Sequence, residues 1–259
     1  MIVDVDARSD IGCALQTNED MILVANEAVR DRSFAGRFEV DDQSGKLLLA
    51  VADGMGGGAS GDIASEMAVG RIRDLVAAMP SDLQPDEVDT VLKTWALETH
   101  AALLERSRRD SAAAGMGTTI VGLLICRGCV YQFHAGDSRL YRLRGGELRQ
   151  LTIDHSLRQQ SGDRSTPSNL LINSLGGGAS CWLDVEAVPG GVGEFDRFLL
   201  CSDGLHDAVA DRVIAGALAA DRDTAVNTLI KLARGTQAGD NISALIADFS
   251  RVTVAGAIV

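Results

Sequence analysis

Residues Leu47 to Gly58 read Leu-Leu-Leu-Ala-Val-Ala-Asp-Gly-Met-Gly-Gly-Gly, an apolar run that ends in one carboxylate, Asp53, followed by glycines. Arg197 to Gly204 repeats the device far away in the chain, taking a short apolar run into Asp203-Gly204. Two aspartates delivered to equivalent strand ends repel each other and resist ionisation unless a cation sits between them. Asp20, Asp137 and Asp240 also stand where apolar segments begin or end. Oxygen ligands of this kind suit Mg²⁺ or Mn²⁺, whereas Zn²⁺ sites recruit His or Cys. A pair of such ions ~3.5–4 Å apart can activate a shared water for in-line attack on phosphorus. A single Asp-Gly usually marks only a turn; five acidic positions at strand ends point to a site.

The elements that must hold these residues can be read from periodicity. Residues 2 to 25 give two extended segments joined by Gly12 to Asp20, the second being Met21 to Ala25, and Asn26 to Lys46 reads as a polar loop. Ser60 or Asp62 can cap a helix carrying Ile63, Met67, Ile72, Leu75 and Met79, which Pro80 stops. A second helix starts near Pro85 and lines up Val88, Val91, Leu92, Trp95 and Leu103. Thr118 to Ile125, Val130 to Ala135, Arg139 to Arg144 and Glu147 to Leu151 read as strands, the last two joined at Gly145-Gly146. Periodicity fails from Thr152 to Ser180, which reads as a surface excursion. Helices are expected at about Asp207 to Ala220 and Asp223 to Arg234, then a strand from Ile242 to Phe249. The fold class is α+β, with largely antiparallel sheets and helices on their outer faces.

Composition narrows the function. A chain of 259 residues, 46% hydrophobic and without a long linker, suits one domain with a sizeable core. A net charge of -12 and no block of Lys and Arg argue against a nucleic-acid surface. The first ten residues carry charges and no apolar h-region, and no run reaches the ~18 apolar residues of a membrane span. Five scattered cysteines do not suggest a disulfide framework. The cytoplasm is the expected compartment.

Seven short stretches occur in one order along nearly the whole chain: Gly12 with Asn18-Glu19-Asp20, Val51-Ala-Asp-Gly-Met-Gly-Gly-Gly, Gly117-Thr-Thr, Gly136-Asp-Ser-Arg139, Leu151-Thr-Ile-Asp-His155, Cys201-Ser-Asp-Gly204 and Gly239-Asp-Asn241. In this the chain resembles the metal-dependent serine/threonine protein phosphatases of type 2C, in their compact bacterial form. The resemblance implies two antiparallel β-sheets packed as a sandwich with helices on both outer faces, one catalytic domain over 1–259, and a flap at about 156–180. It implies hydrolysis of phosphoserine and phosphothreonine by a hydroxide bridging two Mn²⁺ or Mg²⁺ ions, with room for a third ion. Asp53 then matches the ligand shared by both metals, with the Gly54 carbonyl completing the first site. Asp20, Asp203 and Asp240 match ligands of the second site, and Asp137 a ligand of the third metal beside Asp203. Glu19 and Asn241 match residues that hold water or backbone around the cluster.

Two departures accompany the match. Leu15 stands where the family's phosphate-binding arginine is expected, and its side chain offers phosphate no donor. Arg8 is the candidate substitute for substrate binding. Met55 replaces a histidine that many eukaryotic members carry as a general acid; bacterial members often have methionine there.

The remaining residues have plainer readings. His134 reads as a packed core histidine, His155 and His206 adjoin motifs that face the cleft, and Cys126-Arg-Gly-Cys129 reads as a hairpin end lacking a second ligand pair. Met67 and Met116 read as fillers of core gaps. Arg158, Arg164, Asn169 and Asn173 are polar groups of the excursion able to contact a phosphopeptide. Expected partners are a phosphorylated protein and an opposing Ser/Thr kinase in a signalling pair, with no nucleic acid or membrane, and a monomer. Two other readings stay open: a weakly catalytic phosphoprotein-binding module, and a phosphatase of a small phosphomonoester.

Overall fold

Leu47, Leu49 and Val51 point to one side of their strand and Leu48, Ala50 and Ala52 to the other, and all six are buried. That two-sided burial explains why the run is continuously apolar instead of alternating. The structure is a computed structural model and describes residues 1–56, 60–163, 165–236 and 239–250. Gly57, Gly58 and Arg164 of the stretches singled out above lie outside the described residues.

The chain begins with β1 (Ile2–Asp10), β2 (Asp20–Val24), β3 (Glu27–Val29), β4 (Ser33–Glu39) and β5 (Lys46–Met55), followed by α1 (Gly61–Ala78) and α2 (Pro85–Arg109). Then come β6 (Gly117–Thr118), β7 (Ile120–Cys126), β8 (Cys129–Ala135), β9 (Arg139–Arg144), β10 (Glu147–Gln150), α3 (Leu157–Ser161), β11 (Asp184–Ala187) and β12 (Arg197–Cys201). The last elements are α4 (Asp203–His206), α5 (Asp211–Ala217), α6 (Arg222–Gly235) and β13 (Ile242–Ser250).

Two sheets form, ordered β10-β9-β12-β13-β1-β4 and β11-β8-β7-β5-β2-β3, with β6 paired to β5. The pairings along both are antiparallel. Their inner faces meet through residues such as Val5, Leu49, Leu123, Phe198 and Leu245. The outer face of the β5 sheet is covered by α1 and α2 through Ala64, Ile72, Leu92 and Leu103. α4, α5 and α6 cover the other sheet through Leu205, Ile214 and Leu229. The expected sandwich with helices on both outer faces is the observed architecture.

Local chemistry accounts for the helix starts. At α2, Gln84 and Glu87 form a reciprocal capping box ahead of Pro85, which sits where its missing N–H costs nothing. At α1 the Ser60 side chain makes no capping bond; Asp62 instead accepts from the Ile63 N–H at 2.7 Å.

Two sequence expectations need correction, and one further strand joins them. The polar loop from Asn26 to Lys46 contains β3 and β4. β4 is an edge strand whose residues are alternately exposed and half-buried, so it lacks the apolar content that marks a strand. The helix expected over Asp207 to Ala220 shortens to α5, Asp211–Ala217, because Ala210 ahead of it is extended (φ -63, ψ 145); the short α4 lies before that stretch, at Asp203–His206. Between the excursion and β12 lies a further edge strand, β11, whose sequence Asp-Val-Glu-Ala is largely exposed.

Candidate metal centre

β2 and β5 set the centre of the site. Their antiparallel register places Asp20, the first residue of β2, directly opposite Asp53 near the end of β5. Directly opposed residues have Cβ atoms only ~4.5–5.5 Å apart. The Asp53 backbone is held on the other side by Thr118 and Thr119: Thr119 N–H and Thr118 Oγ1 both donate to the Asp53 carbonyl (2.8 and 2.9 Å), and Asp53 N–H donates to Thr119 Oγ1 (3.1 Å). Thr119 Oγ1 also shares a 2.6 Å hydrogen bond with Ser138 Oγ, beside Asp137.

The next residue must be glycine. A Cβ on Gly54 would lie 2.0 Å from the Gly61 carbonyl oxygen and 2.6 Å from that of Glu19. Gly12 is held equally tightly at φ +79, where a Cβ would stand 2.1 Å from the Asp240 carbonyl oxygen. Both glycines let loops from distant parts of the chain close around the aspartates.

Asp203 enters as the first residue of α4, immediately after β12. Its predecessor Ser202 donates to Asp20 Oδ2 at 2.7 Å and accepts from Ser243 N–H at 3.0 Å, tying β12, β13 and β2 together. Asn241 accepts from Glu19 N–H at 2.7 Å and donates to the carbonyls of Ile11 (3.0 Å) and Thr17 (3.2 Å). It thereby fixes the loop before Asp20 from the residue after Asp240. Asp137 is 5% exposed, and its carbonyl faces His206 Nε2 at 3.1 Å.

The electrostatics show the convergence. Burial pushes the Asp53 carboxyl well above the usual carboxylate range, and the charges of Asp20, Asp203, Asp240 and Asp137 push it further. Burial, joined by Asp203 and Asp240, raises Asp20 to about 7 against the opposing bond from Ser202. Asp137 is likewise pushed up to about 7, by burial first and Asp203 next. Burial and the Asp240 charge raise Asp203. Glu19 is raised mainly by burial. Oδ1 of Asp20 and Oδ1 of Asp203 are buried without a hydrogen-bond partner. Buried carboxylate oxygens lacking donors are costly alone and are what a hard cation satisfies. The donor set therefore fits Mg²⁺ or Mn²⁺.

Among the described residues, the trio of His, Cys, Asp or Glu whose ligand atoms all come within 4.8 Å of one another is His134, His155 and Asp184, not the aspartates. The trio is already engaged otherwise. His155 Nδ1 accepts from Gly136 N–H (3.2 Å) and Asn173 Nδ2 (2.8 Å), so its proton sits on Nε2, which donates to Asp184 at 3.1 Å. His134 Nε2 donates to the Ile153 carbonyl at 2.9 Å, and the two rings stack at 4.4 Å. Burial and the neighbouring His155 lower the His134 pKa. This cluster ties the base of the excursion to the sheet.

A cavity of 610 Å³ opens beside the aspartates, lined by Asp203, Asp207, Asp240, Thr236 and, from the excursion, Ser168 and Asn169. Ser168 Oγ donates to Asp207 across it at 2.7 Å. The side chain of His206 adjoins that wall but is only 2% exposed.

The residues assigned to substrate phosphate fare differently. Leu15 is exposed at 43%. Arg8 does not reach the aspartates: Val5 and Ala7 face the sandwich interior, so Arg8 faces outward, where it donates to Asn227 on α6 (2.8 Å) and pairs with Asp10 (3.6 Å). Arg139 is engaged by a bidentate pair with Asp154, and Arg158 by the Thr166 carbonyl. Asn173, read as a substrate contact, is 3% exposed and bonded to His155 and Trp182.

The supporting residues that sequence reading missed are Ser202, Thr119 and Arg30. Arg30 donates to the carbonyls of Asp20 (3.0 Å) and Asp62 (2.9 Å), bracing β2 against α1. Ser202 and Thr119 stood inside quoted motifs; Arg30 sat in the stretch read as loop.

A family model described as protein phosphatase 2C matches residues 25–232. The serine/threonine phosphatase stp of Listeria welshimeri is 32% identical over 225 residues, which cover 82% of this chain and 88% of that protein. The crystal structure of the Mycobacterium tuberculosis serine/threonine phosphatase PstP/Ppp is similar with a TM-score of 0.77 at 30% identity, covering 97% of this chain and 100% of that one. The catalytic domain of PstP in complex with two manganese ions is similar with a TM-score of 0.75 at 30% identity, covering 96% and 99%.

Proposed function

The chain belongs to the protein phosphatase 2C family, and from that premise we propose that its five buried or cleft-facing aspartates are the ligand set through which it acts as a metal-dependent serine/threonine protein phosphatase. Its reaction is hydrolysis of phosphoserine and phosphothreonine in proteins. The observation that carries the assignment is the convergence of Asp20, Asp137, Asp203 and Asp240 on Asp53, with two buried carboxylate oxygens left unpartnered.

In this reading Asp53, the Gly54 carbonyl, Asp20, Asp203 and Asp240 would hold two ions, and Asp137 with Asp203 would hold a weaker third. When bound, Mn²⁺ or Mg²⁺ supplies an activated water and neutralises the charge that develops on phosphorus. The chain supplies the rest. Ser202 orients Asp20, Asn241 holds the Glu19 backbone, and Thr119 fixes Asp53 relative to Ser138 and its neighbour Asp137. The phosphorylated segment enters the cavity under Ser168 and Asn169, so the excursion at 156–180 acts as a flap and sets substrate choice.

We place the enzyme in the cytoplasm as a monomer whose single domain spans 1–259, opposing a Ser/Thr kinase. No described helix is long and apolar enough to cross a membrane. Release of phosphate from a phosphothreonine peptide with excess Mn²⁺ tests the activity. Turnover that needs Mn²⁺ and disappears in Asp53→Asn supports the reading; Mn²⁺ binding without turnover would leave a phosphoprotein-binding module instead. Comparable turnover of a small phosphomonoester and loss of the peptide reaction would move the substrate class.

A further inference from the structure

The β7–β8 hairpin sets two thiols face to face. Cys126 ends β7, Cys129 begins β8, and the register pairs them directly across the ladder. Arg127 (φ 51) and Gly128 (φ 69) make the turn, both left-handed as a two-residue hairpin of this type requires. Directly opposed residues of an antiparallel pair project to one face with Cα atoms ~4.5 or ~5.5 Å apart. Both values fall inside the ~4.4–6.8 Å that a disulfide spans.

Their surroundings differ. Cys129 is open to solvent, two residues before Tyr131 on the same face of β8. Cys126 is 1% exposed and packs with Leu124 and Tyr131 in the layer beneath α1 and α2. Burial pushes its thiol up, with Lys46 and Arg127 pulling the other way, so it stays protonated at neutral pH. One thiol is accessible to an oxidant and the other is held behind it.

We propose that Cys126 and Cys129 are a dithiol switch, oxidised by a hydroperoxide to a reversible intrachain disulfide. The Cys129 thiolate attacks the peroxide, the O–O bond breaks, water leaves, and Cys129 becomes a sulfenic acid. The Cys126 sulfur then attacks the Cys129 sulfur. The S–S bond forms, the S–O bond breaks, and the departing hydroxide takes the Cys126 proton. Two thiols and one hydrogen peroxide give one disulfide and two waters. Closing so short a loop constrains the unfolded chain little, so the bond is readily reduced, as a switch requires.

The switch lies at the far end of the molecule from the aspartates. Cys126 pairs with Lys46, seven residues and ~23 Å along β5 from Asp53. The same turn reaches the α1–α2 connection, where Arg127 donates to the Asp82 carbonyl at 2.8 Å. The bond closes within the hairpin and involves none of the aspartates, so its test is independent of the phosphatase reading.

Trypsin cleaves after Arg127, between the two cysteines, which makes the bond directly readable. The purified protein is treated with hydrogen peroxide, its remaining thiols are blocked with N-ethylmaleimide, and it is digested. The fragments ending at Arg127 and beginning at Gly128 stay joined, separate on dithiothreitol, and account for the loss of two of the five thiols. Cys13→Ser, which removes another exposed thiol, retains the joined pair; Cys129→Ser loses it. Separate fragments carrying an over-oxidised Cys129, or chains linked to one another through Cys129, would overturn the proposal.

Discussion

Asp20 and Asp53 stand directly opposite each other on neighbouring antiparallel strands, Asp20 buried and Asp53 half-buried, with the Ser202 hydroxyl donating to Asp20 Oδ2. Like charges placed this way destabilise a sheet unless something between them compensates. The fold thus carries a local conflict at the point where its function is assigned, and the strongest expectations follow from it.

The metal-free protein loses stability as pH rises through neutrality. Asp20 and Asp137 are raised to about 7 in the folded chain, while in the unfolded chain they titrate near 3.9. The folded state therefore binds more protons between those values. The stability they contribute is full below the unfolded pKa and is lost as pH climbs to about 7. Thermal melts in EDTA should fall by several degrees from pH 5 to pH 7.5, and excess Mn²⁺ should flatten the slope.

Asp53→Asn removes the most crowded charge. Turnover with Mn²⁺ should drop by about 10³ or more, the equivalent of ~4 kcal/mol of transition-state stabilisation. The metal-free variant should melt higher than the wild type at pH 7.5. A calorimetric scan beside the kinetic assay reads both, and a melt that falls instead contradicts the repulsion.

Ser202→Ala leaves all five aspartates in place but frees Asp20 Oδ2. Loss of an orienting partner of this kind costs roughly 10–100-fold in metal affinity. Titration calorimetry with Mn²⁺ should show that weakening while saturating Mn²⁺ restores most of kcat.

Leu15→Arg adds the missing guanidinium at an exposed position. Two charge-assisted hydrogen bonds to phosphate should lower KM for a phosphothreonine peptide about tenfold with kcat nearly unchanged. An unaltered KM would show that residue 15 does not face the substrate phosphate.

Much of this was legible in the sequence, for physical reasons. Strands buried on both faces, such as Leu47 to Ala52, announce themselves by unbroken apolar runs, and the aspartates that end them stand out against that background. Edge strands do not: β4 and β11 are half solvated, and their charges look like loop. The helix expected from Asp207 starts only at Asp211, and nothing in Asp207-Ala-Val-Ala210 signals the delay; only the extended backbone at Ala210 shows it. Arg8 lies on the outward face of β1, opposite in phase to Val5 and Ala7, and so away from the aspartates. Ser202 and Thr119 gave no signal of their own, since a hydroxyl's role depends on what the fold brings to it.

Anomalous diffraction from crystals grown with Mn²⁺ tests the central claim most directly. The account predicts two strong peaks flanking Asp53, within ligand distance of Asp20, Asp203 and Asp240, and a weaker third beside Asp137. Peaks at His134, His155 and Asp184 with none at Asp53 would contradict it.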